Sequence, residues 1–537
     1  MLSFLKKLRL LLFFKSPTYN FFFVKRSENN FIYHPESLWR GDKETGKKIV
    51  DGLLNFHGES LSLDNEVWKK NHGSRSWNEY LNSFMWVKDI RVVGTNRARI
   101  FLRNKLIEWM QGSNYWDSNI WEIDVLSKRI FNLLTNLSFF YETADEGFQK
   151  KIANSINKQC LLLISKIGEG GKHENNIFVV KSLILSTLCF DNLRNKYLYS
   201  LNLLKCLINN DILADGMHYL RSPSEHFFFL CSLIDIKNFL GNLGKKIPIE
   251  INERIEEMAS VLKFFRIGNG QLSIFNKYDF VDVKKIENVL RKANHKLRIP
   301  TTLKSSGFQR VSKNKIIFLM DCGKPSSEKT HAGALSFEFS HLSQKIVVNC
   351  GSPYVNHKEW NDAMRSTAAH STLNIDEINS SDIFFEKDTI TRIAEVWSEK
   401  IEENDSIWIN SAHSGYKKIF GIIHRRSIHV DANNLIIRGR ESFSASKEGS
   451  QKDPRKYFLI FHIHPDIELN VTASKKKVVL KLKNNLGWEF ICSEPKIEIG
   501  EGIYLGEGRI IRKNNHILIQ DTFSLDKEIK WLFRLIK

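Results

Sequence analysis

Residues able to move a proton or hold an anion gather at a few places in this 537-residue chain. Ala214 to His226 carries His218, Tyr219, Arg221 and His226 within thirteen positions. Ser222-Pro223-Ser224-Glu225 in the same stretch is a helix start, with an N-cap serine, proline at the first helical position and glutamate three residues after the cap. His218 and Arg221 therefore precede a helix N-terminus, where exposed N–H groups and the helix dipole favour an anion. The plainer alternative is that Arg221 pairs with a nearby acid, His218 bonds within its loop and Tyr219 is packed. Further on, Arg365 and His370 lie five residues apart, leading into a β-prone run at 371–376. His331 also precedes a β-prone run, and His464 closes Phe461-His462-Ile463-His464-Pro465.

The elements that must position these side chains fall into two kinds. From about 65 to 265, apolar residues recur at three-to-four spacing, as in Ala98–Met110, Ile152–Ile167 and Ile177–Cys189, which predicts amphipathic helices. The capped helix should run from Pro223 past Phe227, Leu230, Ile234 and Phe239 to a stop at Gly241. No fixed repeat length is evident, so solenoid signatures do not apply. From about 310 the period changes to two. Ile316–Asp321, Lys345–Asn349, Ile407–His413, Leu435–Arg440, Tyr457–His464 and Ile510–Thr522 are short β-prone runs, broken by turns such as Asn433-Asn434. Many short strands without intervening helices predict an antiparallel sandwich. The division expected is an irregular or amphipathic segment over 1–60, helices over 61–300 and the sandwich over 301–537. A short helix is expected at Val283–His295 in the connecting stretch.

Composition narrows the partners. The chain has 79 Lys and Arg against 60 Asp and Glu, a net charge of +19, which suits acidic partners. The lysines are spread along the whole chain, and neither zinc-finger spacing nor a ribonucleoprotein motif occurs, so no nucleic-acid partner is expected. Seven scattered cysteines, mostly in apolar runs, suggest buried free thiols. The basic, apolar N-terminus is too short and too interrupted to span a bilayer or to serve as a secretory signal. It reads as a membrane-surface segment or an ordinary amphipathic helix.

Four stretches in order, FMWVKDIRVVG (84–94), ADGMHYLRSPSEH (214–226), HAGALSFEFSHLSQKIVVNCGS (331–352) and RSTAAHSTLNID (365–376), resemble heparinase II/III family proteins. The similarity is to a bacterial subgroup without an assigned substrate. The resemblance implies an α+β multidomain fold, with an N-terminal incomplete (α/α) toroid followed by a C-terminal antiparallel β-sandwich. It implies a carbon–oxygen lyase that breaks an acidic, uronate-containing, glycosaminoglycan-like polysaccharide by β-elimination at the cleft between the two parts. Removing the C5 proton needs a base, a group that neutralises the adjacent carboxylate and an acid for the leaving oxygen. On that reading His218, Tyr219, His226 and His370 are the catalytic candidates, and His173, Arg221 and Arg365 the substrate-binding ones. The alternative is a non-catalytic glycan-binding or surface-polysaccharide assembly protein on the same fold.

The chain departs from the family pattern at four points. Glu225 stands where the family's lyases carry tyrosine, Lys329 replaces a histidine, Gly333 replaces an aspartate, and Asn349 aligns with an acidic zinc ligand. No cofactor is required. A structural zinc would fall on His331 and His464, with Asn349 a poor third ligand. The family implies the periplasm or cell envelope, and the cytoplasm is the alternative because the N-terminus lacks a clear signal.

Overall fold

The computed structural model describes residues 31–56, 59–64, 67–68, 74–112, 117–167, 176–294, 296–325, 330–353, 358–384, 389–390, 392–403, 406–446, 453–508 and 510–536. They form two compact units. One holds the described residues up to Asn210 together with Ser232–Pro248, and the other holds Asp211–Cys231 and Ile249 onward.

The first unit is helical, and its helices follow the apolar spacing. Asn96–Gly112, Ile123–Thr135, Glu146–Ile167, Ile177–Cys189 and Tyr197–Asp211 are its main elements. Phe84, Trp86, Trp109 and Trp121 pack together in its interior. Phe84 has a left-handed backbone, and Trp86 donates its indole N–H to Leu81 O at 3.1 Å, so the 84–94 segment is a packing hub. Lys105, Arg129 and Lys181 are buried here. Arg129 lies between the rings of Trp109 and Trp121 and donates to Gln159 and to the carbonyls of Asn82 and Ile120. Lys181 pairs with Asp235 at 3.0 Å and sits 3.9 Å from the Phe131 ring centre.

The second unit is built on two antiparallel sheets. Among the described residues, one sheet has eight strands in the order Val396–Glu403, Ser406–His413, Ile422–Asp431, Ile436–Ala445, Ile529–Ile536, Gly487–Cys492, Lys477–Lys481 and Glu468–Val471. The other runs Glu498–Tyr504, Arg512–Thr522, Lys456–Ile463, Gln344–Val348, Phe337–His341, Ile316–Asp321, Phe308–Lys313 and Thr302–Leu303, with Leu373–Ile375 also paired to Lys456–Ile463. Inward residues of both sheets, including Phe337, Phe461, Trp488, Trp531 and Phe533, make one apolar core, which is sandwich packing. The Phe337 and Trp531 rings stack across it, 5.6 Å apart and 10° from parallel. The helix Val283–Ala293 precedes the sandwich, close to its sequence-predicted span.

Candidate functional site

The loop before the capped helix belongs to the second unit. Gly216, with φ of +82°, turns the chain so that Ile212 bridges His218. Ser222 Oγ accepts the Glu225 N–H at 3.2 Å, which caps Pro223–Asn242 as its sequence requires. The Glu225 carboxylate takes Lys277 Nζ at 2.6 Å.

Two of the residues singled out in this loop, Arg221 and His226, have structural duties. Arg221 is buried, with φ of +55°, and donates to Ser306 O at 2.7 Å, to Lys324 O at 3.2 Å and to the Asp321 carboxylate. Its guanidinium also lies over the Phe308 ring. With all three nitrogens on protein acceptors, Arg221, expected to hold substrate, pins the loop to the sandwich. Burial pushes the Asp321 carboxyl up, against the opposing pull of Arg221.

His226, expected to be catalytic, is engaged likewise. Its Nδ1 accepts the His218 N–H at 3.3 Å, so Nε2 carries the proton and donates it to Met258 O at 2.7 Å. Both nitrogens are committed, and burial lowers the imidazole to about 4. Neutral and fully enclosed, it fastens the loop through both ring nitrogens. His218 is buried beside it; its Nδ1 accepts the Leu220 N–H, and its ring lies 4.9 Å from that of half-buried Tyr219.

A second cluster lies where the chain enters and leaves the nine-stranded sheet. His331 Nδ1 is 3.3 Å from His370 Nε2, and both rings are buried. His331 is held by its backbone N–H, which donates to Asn276 Oδ1 at 3.0 Å, while Asn276 Nδ2 donates to Arg221 O at 2.9 Å. One amide side chain thus ties the 218–226 loop to His331. Arg365 ends the helix Lys358–Arg365, and its carbonyl accepts the Ala332 N–H at 2.9 Å. Burial lowers His331 far below the ordinary imidazole range, and the His370 and Arg365 charges lower it further. Burial alone lowers His370 to about 4. His370 Nδ1 is buried without a hydrogen-bond partner in the protein. The cluster is therefore a pair of neutral imidazoles beside a permanent cation, with one ring nitrogen unused.

The proposed zinc pair is not brought together as a ligand set. His331 faces His370, whereas His464 faces Glu507 at 3.1 Å and Asp466 at 3.8 Å. Asn349 is fully engaged: Nδ2 donates to Ile274 O, and Oδ1 accepts the Ser371 N–H. Among the described residues, His464, Asp466 and Glu507 are the one group of three with ligand atoms within 4.8 Å of one another. They do not fit a metal. Arg512 holds both carboxylates, Lys483 holds Asp466 at 2.9 Å, and His464 Nδ1 accepts the Asp466 N–H. His173 and Lys329 lie outside the described residues.

Sequence reasoning missed a polar chain inside the sandwich. Gly415 N–H donates to His413 Nδ1, so His413 Nε2 donates to His424 Nδ1 at 3.0 Å, and His424 Nε2 donates to Glu441 at 2.7 Å. Glu441 also accepts from Arg426 at 2.8 Å and from the Trp531 indole at 2.9 Å. Arg426 reaches on to Leu335 O at 2.7 Å and to Ser371 O, next to His370, at 3.0 Å. The signal was present: His413, His424, Arg426 and Glu441 occupy inward positions of adjacent strands, in direct register as His413–His424 and Arg426–Glu441.

Residues 296–532 match the family model for the heparinase II/III-like C-terminal domain. The C-terminal region is a heparinase II/III-like domain. The fold likeness extends beyond it. A crystal structure of heparinase III superposes with a TM-score of 0.74 at 14% identity, covering 99% of this chain and 91% of that one. Heparan sulfate lyase HepC from Pedobacter heparinus, in mutant form, gives 0.66 at 14% identity, with 96% and 87% covered. A curated relative, FtsZ-localized protein C of Caulobacter vibrioides, is 24% identical over 513 residues, 91% of this chain and 88% of that protein. Helices followed by the heparinase II/III-like domain are thus a polysaccharide-lyase-like fold. Among the described residues, no helix is long and apolar enough to cross a membrane.

Proposed function

We propose that the protein acts on an acidic, uronate-containing polysaccharide by β-elimination, with His331, His370 and Arg365 at the reacting centre. The single observation that carries this reading is the His331–His370 contact beside Arg365, with His370 Nδ1 left without a protein partner. An imidazole held near pKa 4 is neutral at pH 7 and available as a base. In the proposed reaction the C5 proton passes to His370 while the Arg365 guanidinium neutralises the uronate carboxylate. The C5 electron pair forms the C4–C5 double bond, the C4–oxygen bond breaks, and the leaving oxygen takes a proton. His218 and Tyr219 are the candidates for that proton, on the loop that Asn276 ties to His331. The helical part is read as an incomplete (α/α) toroid, in keeping with the likeness to heparinase III. We place the activity at the cell envelope, with the cytoplasm as the alternative compartment.

The test is ultraviolet absorbance of unsaturated product during incubation with heparin, heparan sulfate, hyaluronan, alginate and envelope glycans. Product from the wild type and none from His370→Ala is the expected result. A His370→Ala variant as active as the wild type overturns the assignment.

A second reading is a glycan-binding or assembly protein without catalysis. It is favoured by Glu225, which is engaged by Lys277 at the position where the resemblance places the lyases' tyrosine. The curated relative's name, which records localisation and no reaction, points the same way. Retained glycan binding with no product across all substrates selects this reading.

A further inference from the structure

The outer face of the eight-stranded sheet carries a pattern that the site above does not use. Along Ser406–His413 the residues alternate, with Ile407 and Ile409 in the core and Trp408 and Asn410 outward. Register carries the outward row across the sheet as Ile401, Trp408, His429 and Arg438. The Trp408 indole stacks on the His429 ring, centres 4.2 Å apart and 26° from parallel, yet stays 40% exposed. Trp397 shares this face, since it pairs with outward Ala412, and is 52% exposed. Ala412 lies four residues from Trp408 on one strand, so the two tryptophans attach to the sheet about 13 Å apart along the strand direction.

Cations flank the indoles on the next two strands, while Glu399 and Asn410 occupy the rung between them. Arg425, exposed and bonded to Ser444 Oγ, is directly opposite Ala412 in the register, and no acid pairs with it among the described residues. Arg438 Nη1 lies 3.2 Å from His429 Nδ1 and 3.9 Å from Asp431. Glu399 and Glu403 also lie on this face, and Arg440, on the Glu399 rung, pairs with Glu528 at 3.1 Å.

We propose that this face is a second binding surface for an anionic polysaccharide strand. Flat indoles take the apolar faces of sugar rings, and guanidinium groups take carboxylate or sulfate oxygens in paired hydrogen bonds. A protein partner is less well served, because a stable protein interface has a contiguous apolar core, and here charged side chains separate the aromatic rings. The proposal rests on the reading that the ligand is an acidic polysaccharide but not on lyase chemistry. The surface would hold a long chain while another part of it occupies the cluster at His331 and His370, which raises avidity without adding contacts there.

The test compares long heparan sulfate chains with short heparan sulfate oligosaccharides by titration calorimetry, on the full chain. Trp397→Ala/Trp408→Ala should weaken binding of long chains at least tenfold and leave short-oligosaccharide binding unchanged. Arg425→Gln should weaken it several-fold at low salt and less at high salt. Circular dichroism of the variants checks that they fold, and Arg425→Gln, at an exposed position, keeps the test decisive if the double variant does not. Unchanged long-chain affinity in a folded variant overturns the surface alone. No glycan binding by the wild type overturns the surface together with the polysaccharide reading. Tryptophan-dependent binding of a single-stranded polynucleotide or polyglutamate, with none of glycan, overturns the choice of ligand.

Discussion

Nδ1 of His331 lies 3.3 Å from Nε2 of His370, in a buried contact between residues 39 positions apart in sequence. The contact depends on Gly333, where a built Cβ would sit 3.1 Å from His370 Cγ and 3.2 Å from Nδ1. A methyl group at 333 fits only if the His370 ring gives way slightly. Gly333→Ala is therefore expected to displace the imidazole and cost about 1–2 kcal/mol. Changed His370 ring shifts in the NMR spectrum, alongside a lowered urea midpoint, would record it; an unmoved ring would sink the packing argument.

Arg221 and Asp321 form a buried ion pair that no other cation replaces among the described contacts of Asp321. Arg221→Ala leaves the carboxylate enclosed without a counter-charge, which should cost about 3–5 kcal/mol. Adding Asp321→Asn should recover part of that loss, because the remaining group is then neutral. Denaturant unfolding of the two variants decides, and a double variant no better than the single one would speak against the pairing.

Arg426 and Glu441 should behave similarly, inside the sandwich. Arg426→Met leaves Glu441 to His424 and Trp531 alone and frees the carbonyls of Leu335 and Ser371. A loss of about 3–5 kcal/mol is expected, with partial recovery in Arg426→Met/Glu441→Leu. Because Ser371 is next to His370, any glycan-directed activity should fall in the single variant even where it remains folded.

Acid should destabilise the second unit before ordinary carboxylates titrate. His226 and His370 are lowered from 6.5 to about 4 by burial, so the unfolded chain binds protons that the folded chain refuses. Their contribution is complete above about pH 6.5 and is lost as pH falls toward 4, at up to about 3 kcal/mol for each. Urea midpoints measured at pH 7.5 and pH 5 should differ accordingly. A flat profile across that window would contradict the burial of these rings in the folded state.

Most interior elements were legible from local pattern. Ile177–Cys189 and Ile316–Asp321 have the bounds that the sequence predicts, because apolar periodicity reports directly on burial. The terminal strands of the two sheets were not legible. Val396–Glu403 is rich in charge and Glu498–Tyr504 contains two glycines, as edge strands tolerate, since among the described residues one side of each has no strand to pair with. The helix Lys358–Arg365 also escaped notice, being short and mostly polar.

The candidate site divides the same way. Sequence determined that helices precede a sandwich, that Ser222 and Pro223 start a helix, and that His218, Arg221, His331, Arg365 and His370 belong to segments resembling one family. It also fixed the surplus of positive charge. Only the tertiary structure decided that Arg221 and His226 fasten a loop, that His331 meets His370 and not His464, and that Glu441 gathers a buried polar chain. The reason is physical: helical and strand periods are local and survive in the order of residues, whereas the partner of a buried charge or imidazole is set by which distant strands become neighbours. Arg221 finds Asp321 100 residues away, and nothing in either residue's local sequence specifies the other.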